Sequence, residues 1–242
     1  MNKICILCPT YNRRKFFPNL IYQFYYQTYP KHLLTLIILD DSFTSNSDII
    51  DNIEDYELKS RILYLYSKDK QTIGQKRNIL NNIAKYLNTD YIVWFDDDDY
   101  YSPTKIEQDV NALINNNFII GGLHTILIYY PKLDKIYQYG PKLFYFTKLS
   151  RLPVNNGTLV YNIKYLDYGS YDNNDIYNEE IKFLQNKKIN IYTFNIKNYI
   201  LIAHNSNTID KLQFIKYGKL LVEKIDNLII DKYLLDFYKK LI

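Results

Sequence analysis

The chain has 242 residues, 47% of them hydrophobic, and a formal net charge of +4. That length and apolar content suit one α/β domain with a sizeable core. The small charge is not gathered into basic stripes, which argues against a nucleic-acid partner, and no apolar run approaches the ~20 residues of a membrane-spanning helix.

In chain order, Met1-Asn2-Lys3 leads straight into a short strand, Ile4 to Leu7, with no secretory signal pattern. The expectation is a soluble, cytoplasmic protein. Cys5 and Cys8 form a C-x-x-C on that strand. Residues three apart on a strand point to opposite faces, roughly 10 Å apart, beyond disulfide reach. Two reduced core cysteines are expected. Phe17 to Tyr26 reads as a helix, Leu34 to Leu39 as a second strand, Asp48 to Leu58 as a weak helix and Ile62 to Tyr66 as a third strand. Gly74 to Leu87 reads as a helix, and Tyr91 to Phe95 as a fourth strand that ends in four aspartates. Strands alternating with helices predict a mostly parallel, doubly wound sheet, whose ligands bind at the carboxyl ends of the strands. Beyond it, Pro103 to Asn115 reads as a helix, and Phe118 to Tyr130 and Lys135 to Tyr139 as strands about a turn at Pro131. Asn155-Asn156-Gly157 is a turn, Asn178 to Leu184 a helix and Ile189 to Phe194 a strand. Lys211 to Ile242 reads as one or two amphipathic helices.

Three polar clusters sit at strand ends and a fourth at a helix start. The strongest is Asp96-Asp97-Asp98-Asp99, where adjacent carboxylates repel unless something positive lies among them. A hard divalent cation, Mg²⁺ or Mn²⁺, held by one or two carboxylates and substrate phosphates, answers that need. An acidic turn is the plainer reading, with Asp99 or Ser102 capping the next helix. Pro9-Thr10-Tyr11-Asn12-Arg13 offers an aromatic and polar loop for a base, Asp40-Asp41-Ser42 a carboxylate for a base or ribose. Gly74-Gln75-Lys76-Arg77-Asn78 opens a helix with basic groups, which suits an anion.

Together, in order and spacing, these motifs resemble the family 2 glycosyltransferases of the GT-A fold. The match extends through Gln27-Thr28-Tyr29 and through Pro103-Thr104-Lys105-Ile106, and thins beyond residue 106. The resemblance implies a nucleotide-sugar-binding half over 1–106, an acceptor half over 107–208 and a helical extension over 209–242. It implies that Thr10 and Tyr11 contact the base, that Asp41 binds base or ribose with Asp40 beside it, and that Arg77 lies near base or diphosphate. Asp96 would hold the ribose or support the site, and Asp98 the metal, with Asp97 where the family often has a small residue. The family's base is an aspartate in an E-D pair that opens a helix. Here Glu180 aligns with it and Glu179 precedes it, the arm longer by one methylene; Asp172 and Asp175 lie on the same stretch. His204 is the candidate for the late metal or diphosphate ligand of such enzymes.

The implied reaction is transfer of a sugar, with inversion, from a nucleoside diphosphate carrier to a hydroxyl of a glycan, lipid-linked sugar or protein. A UDP-sugar is the expected donor, on frequency within the family. The stretch from Lys211 is open to three readings: packing on the domain, a homodimer contact, or a peripheral membrane contact, with Glu223, Asp226, Asp231 and Asp236 diluting its basic face. Two rival functions remain at this point: a binding protein on a GT-A scaffold without turnover, and a haloacid-dehalogenase-type phosphatase using Asp96 as nucleophile and Asp98 as acid/base.

Overall fold

The run Ile4–Thr10 (β1) is apolar along its length because it is buried on both faces at the centre of a sheet. The structure, a computed structural model, describes residues 1–140, 154–184 and 189–241. β1 pairs in parallel with Leu34–Asp40 (β2) on one side and Tyr91–Trp94 (β4) on the other. Ile62–Tyr66 (β3) extends the sheet beyond β2. On the far side of β4 come Val160–Asn162 (β9), antiparallel, then Ile120–Gly122 (β6) and Tyr192–Thr193 (β10). Among the described residues this sheet has seven strands in the order β10-β6-β9-β4-β1-β2-β3.

Alternation along β1 divides the core. Ile4, Ile6 and Cys8 pack with the helix Phe17–Tyr26 (α1) and with Lys105–Asn115 (α5). Cys5 and Leu7 face the other way, onto Ile73–Tyr86 (α4) and a group of rings that includes Trp94, Tyr161 and Tyr171. The two free cysteines therefore lie on opposite faces of the sheet. A second sheet, of five strands among the described residues, comprises Tyr100–Tyr101 (β5), Ile126–Tyr130 (β7), Lys135–Tyr139 (β8), Tyr199–Ile202 (β11) and Lys219–Leu220 (β12), in the order β12-β8-β7-β11-β5. Among the described residues no helix is long and apolar enough to cross a membrane.

Several elements differ from the sequence reading. The expected helix over 48–58 is two short ones, Ser47–Asp51 (α2) and Tyr56–Ser60 (α3), because the Asp55 carboxylate accepts from Leu58 N–H at 3.0 Å and starts a new helix. The strand expected over 118–130 is divided between the sheets. Gly121 and Gly122 end its first part, where a Cβ would meet the Phe194 ring and Val154 at 2.3 Å. The helix expected over 178–184 is a single turn, Glu180–Phe183 (α6), since Asn178 is left-handed at φ 54°. The strand expected over 189–194 is only β10. From residue 211 the chain makes a 3₁₀ segment, Lys211–Tyr217, then β12 against the edge of β8, and one helix, Lys232–Lys239 (α7). Backbone pairing with an open sheet edge outweighs the helical periodicity there.

Candidate active site

The carboxyl ends of β1, β2 and β4 converge, and the four aspartates after β4 separate into different surroundings. Asp99 is structural. Its carboxylate accepts from Tyr199 hydroxyl at 2.5 Å and Ile202 N–H at 2.9 Å, and its carbonyl from Gln23 and Tyr238. Neither Asp99 nor Ser102 caps α5; the cap position is Thr104, and Ser102 donates to Asn198. Asp97 accepts from the Thr10 hydroxyl and lies 3.9 Å from Arg13. Burial pushes its carboxyl well up, Asp98 adds to the effect, and Arg13 and Thr10 oppose it.

Asp98 is the aspartate that meets the stretch after β11. Its Oδ2 lies 3.1 Å from His204 Nε2, 3.4 Å from Asn207 Nδ2 and 3.6 Å from Arg13. The His204 ring packs at a tilt of 38° against Phe16, centroids 4.8 Å apart, and has Ser206 Oγ 3.0 Å from Nδ1, so its orientation is fixed. Burial alone raises the Asp98 carboxyl, but the His204 hydrogen bond and the charges of Arg13 and Lys211 hold it below the ordinary range. Asp96 remains partly open, 3.5 Å from Arg77, and packs against Gly157, where a Cβ would come within 2.5 Å of Oδ2.

The base-side residues are partly consumed by the fold. Asp40 is fully engaged, accepting from Ser42 twice, from Asn46 at 2.8 Å and from Tyr64 hydroxyl at 2.8 Å. Asp41 is held by Lys76 Nζ at 2.7 Å and Gln71 N–H at 2.7 Å. Tyr11 keeps an accessible ring, with Lys70 Nζ 3.9 Å from its centroid and Phe43 edge-on at 5.7 Å. Asn12, left-handed at φ 54°, ties this loop to the next by donating to Ser42 Oγ at 2.6 Å.

The helix start at Gly74 differs most from its sequence reading. Gly74 N–H donates to Asp175 O at 3.1 Å, and Thr72 with Gln75 forms a capping box, so the end of α4 is closed by protein. Asp172 packs on Gly74 through its backbone, and its carboxylate, like that of Asp175, pairs with Lys182. Arg77 does not reach solvent: it lies 4.5 Å from the Trp94 ring, with Nε 2.7 Å from Glu179 Oε1. Asn156 Nδ2 donates to the same oxygen at 2.7 Å. Burial raises the Glu179 carboxyl, yet Arg77 and these hydrogen bonds bring it below its usual range. Glu180, partly buried, is pushed up to about 7, by burial first and by the charge of Glu179 next. Thus Thr10, Asp96, Asp97, Asp98 and His204 come together, and Arg77, Glu179 and Glu180 join them through Asp96. Sequence reasoning missed Arg13, Lys76, Asn156 and Lys211 as partners. Arg13 and Lys76 sat inside the motifs; nothing pointed to Lys211, whose charge acts on both Asp96 and Asp98.

A family model described as Glycosyl transferase family 2 matches residues 5–197. The chain belongs to glycosyl transferase family 2. An uncharacterized glycosyltransferase of Haemophilus influenzae is 30% identical over 121 residues, 50% of this chain and 46% of the relative; the chain thus spans about half the relative's length. Among solved structures, S. aureus TarS 1-349 in complex with UDP superposes with a TM-score of 0.56 at 17% identity, over 84% of this chain and 61% of that one. The mannosyltransferase PcManGT from Pyrobaculum calidifontis, in complex with GDP-Man and Mn²⁺, gives 0.63 at 10% identity, over 85% and 58%. At these identities the likeness speaks for the fold, which is the GT-A fold of glycosyltransferases.

For a family 2 chain the donor set is suited to a metal shared with its substrate. Among the described residues no three His, Cys, Asp or Glu side chains gather as a self-sufficient metal site. Asp98 and His204 offer one carboxylate and one imidazole side by side. That fits a hard divalent ion which draws its other ligands from a diphosphate and water.

Proposed function

We propose that this family 2 chain is a metal-dependent, inverting glycosyltransferase that moves a sugar from a nucleoside diphosphate, most simply UDP, to an acceptor hydroxyl on a glycan, lipid-linked sugar or protein. The observation that carries this reading is the contact of Asp98 with His204, 3.1 Å apart and 106 residues distant in sequence, at the carboxyl end of β4. UDP is bound by the S. aureus neighbour and GDP-Man by the Pyrobaculum one, so the base is a matter for test.

In this reading the Tyr11 ring, flanked by Lys70 and Phe43, is the surface on which the base stacks. Asp41 and Lys76, locked to each other, shape that pocket rather than reach far into it. A Mn²⁺ or Mg²⁺ ion held by Asp98 and His204 would offset the charge that develops on the departing diphosphate. Arg13 and Lys211 add fixed positive charge on the same side. Glu180 takes the proton of the acceptor hydroxyl as that oxygen attacks the anomeric carbon opposite the diphosphate, so configuration inverts. Its affinity for a proton near pH 7 is what a general base needs. Glu179, bound to Arg77 and Asn156, is not free for that work.

The test is a thermal-shift screen of UDP, GDP, CDP and dTDP, each with and without Mn²⁺, on wild type and Asp98→Ala. A ligand at about 100 times its Kd stabilises the fold by about 2.7 kcal/mol. One nucleotide should stabilise the wild type in the presence of Mn²⁺, and the variant should lose the effect. No shift with any nucleotide, or the same shift in Asp98→Ala, rules this reading out.

A further inference from the structure

Arg77 is a costly residue for the fold to bury. Its side chain is 4% exposed, and its Nη1 has no hydrogen-bond partner. Desolvating a guanidinium and leaving one of its donors unmatched costs stability that an apolar side chain of similar size would not. What it gains is three attachments from distant parts of the chain. Nε binds Glu179 at 2.7 Å, Nη2 lies 3.5 Å from Asp96, and the planar group sits against Trp94, with the Tyr171 ring at 5.9 Å. Asn156 closes the circuit, donating to Glu179 and accepting from Tyr171 hydroxyl at 3.0 Å. The next residue, Gly157, touches Asp96. One guanidinium thus spans the strand-end aspartate of the donor side and the single helical turn that carries Glu179 and Glu180.

We propose that Arg77 is a positioning residue: by binding Glu179 and Asp96 together, it seats the Glu180 carboxyl against the donor-side cluster. The proposal rests on the reading of Glu180 as the base. α6 is only four residues long, and Asn178 before it is left-handed, so the turn has little rigidity of its own. Among the described residues, the charged groups that act on Glu180 are Glu179, Arg77 and Asp96; the neutral Tyr171 hydroxyl lies nearby. Burial is the first cause of its high proton affinity and Glu179 the second, while Arg77 opposes both. The sign of the response to losing Arg77 therefore separates two roles. If Arg77 acts only through its charge, removing it leaves Glu180 buried beside an unbalanced Glu179, and the midpoint rises. If Arg77 positions the turn, removing it releases Glu180 to water, and the midpoint falls toward the ordinary carboxylate range.

The experiment is a carboxyl ¹³C NMR titration of the full chain labelled on glutamate, with the Glu180 signal assigned by its loss in Glu180→Gln. The wild type should titrate at about 7. Arg77→Met should lower that midpoint by about one pH unit or more. Arg77→Lys keeps the charge but lacks the fork that holds two carboxylates, and should lower it too; it serves as the folded variant where Arg77→Met does not fold. A midpoint that rises in Arg77→Met, or stays at the wild-type value in Arg77→Lys, overturns the proposal. Nucleotide binding is a separate readout. A wild type that binds no nucleotide defeats the proposed function without altering the titration, whereas an unmoved Glu180 defeats the positioning role without altering nucleotide binding.

Discussion

Two buried ion pairs lie on opposite faces of the seven-stranded sheet, and they are built to different ends. Lys105 and Asp109 sit 2.6 Å apart with side chains 1% and 2% exposed. The second Asp109 oxygen accepts from Asn198, whose own oxygen accepts from Ser102. That network is neutral and every member is matched, so nothing remains for a ligand. Arg77 and Glu179 are 2.7 Å apart, with side chains 4% and 8% exposed, but one guanidinium faces Glu179, Asp96 and Glu180 and keeps an unmatched donor. A closed, neutral pair is scaffolding; an open, acid-rich one is poised to take up a proton or a cation.

The largest effect belongs to Glu180. Glu180→Gln removes the proposed proton acceptor and should lower turnover by roughly 10²–10⁴-fold while leaving nucleotide binding intact. Its check is single-turnover transfer from whichever donor the thermal-shift screen selects. A variant that keeps more than about a tenth of wild-type turnover would return the role of base to another residue. The Lys105 side should behave in the opposite way. Lys105→Met strands a buried carboxylate and should cost about 3–5 kcal/mol of stability, read from the urea midpoint. The folded fraction should still bind nucleotide normally. A Lys105 variant that folds well but loses binding would erase the distinction between the two pairs.

Glu180 also makes the stability of the fold depend on pH. Its carboxyl titrates at about 7 in the fold against an ordinary 4.5, so the fold favours the protonated form. The stabilisation is complete below the ordinary value and is lost as pH rises through 7. If Glu180 is the base, as proposed, turnover should rise across that same window. Glu180→Gln should therefore match wild-type stability near pH 4 and exceed it at pH 8. A stability difference that does not change with pH would show that Glu180 is not strained by its surroundings.

Much of this was legible in the sequence. The strands before residue 100 announce themselves as apolar runs, and four aspartates after an apolar strand demand an explanation from charge alone. What separates those aspartates was hidden, since it arrives about a hundred residues later. Tyr199 and Ile202 claim Asp99, whereas His204 claims Asp98. Asp40 looked as available as Asp41, because nothing local shows that Asn46 and Tyr64 will consume its acceptors. Arg77 looked like a cation at a helix start, placed to meet a base or diphosphate. Its burial depends on the 171–175 segment closing over Gly74, and the one sequence cue is the glycine itself. The switch of the 118–130 stretch between sheets likewise had only Gly121-Gly122 to mark it. Periodicity finds elements; it does not show which distant side chain will satisfy a carboxylate.

The smallest effect tests whether Asp99 belongs with the scaffolding although it stands next to Asp98. Tyr199→Phe removes the hydroxyl that donates to Asp99 at 2.5 Å and leaves the ring in place against Tyr101. Ile202 N–H still donates to the carboxylate, so the loss should be about 1–2 kcal/mol rather than the cost of a bare buried charge. Burial, together with Asp98 and Asp96, already pushes the Asp99 carboxyl well up, and losing the tyrosine donor pushes it further. The variant can therefore answer by protonating Asp99 in place, which keeps the penalty small. Stability should fall while metal-dependent nucleotide binding stays at the wild-type level, measured by chemical denaturation and by calorimetric titration on the same preparation. If Tyr199→Phe weakens nucleotide binding as strongly as Asp98→Ala does, the four aspartates act as one unit and the division drawn between Asp98 and Asp99 is wrong.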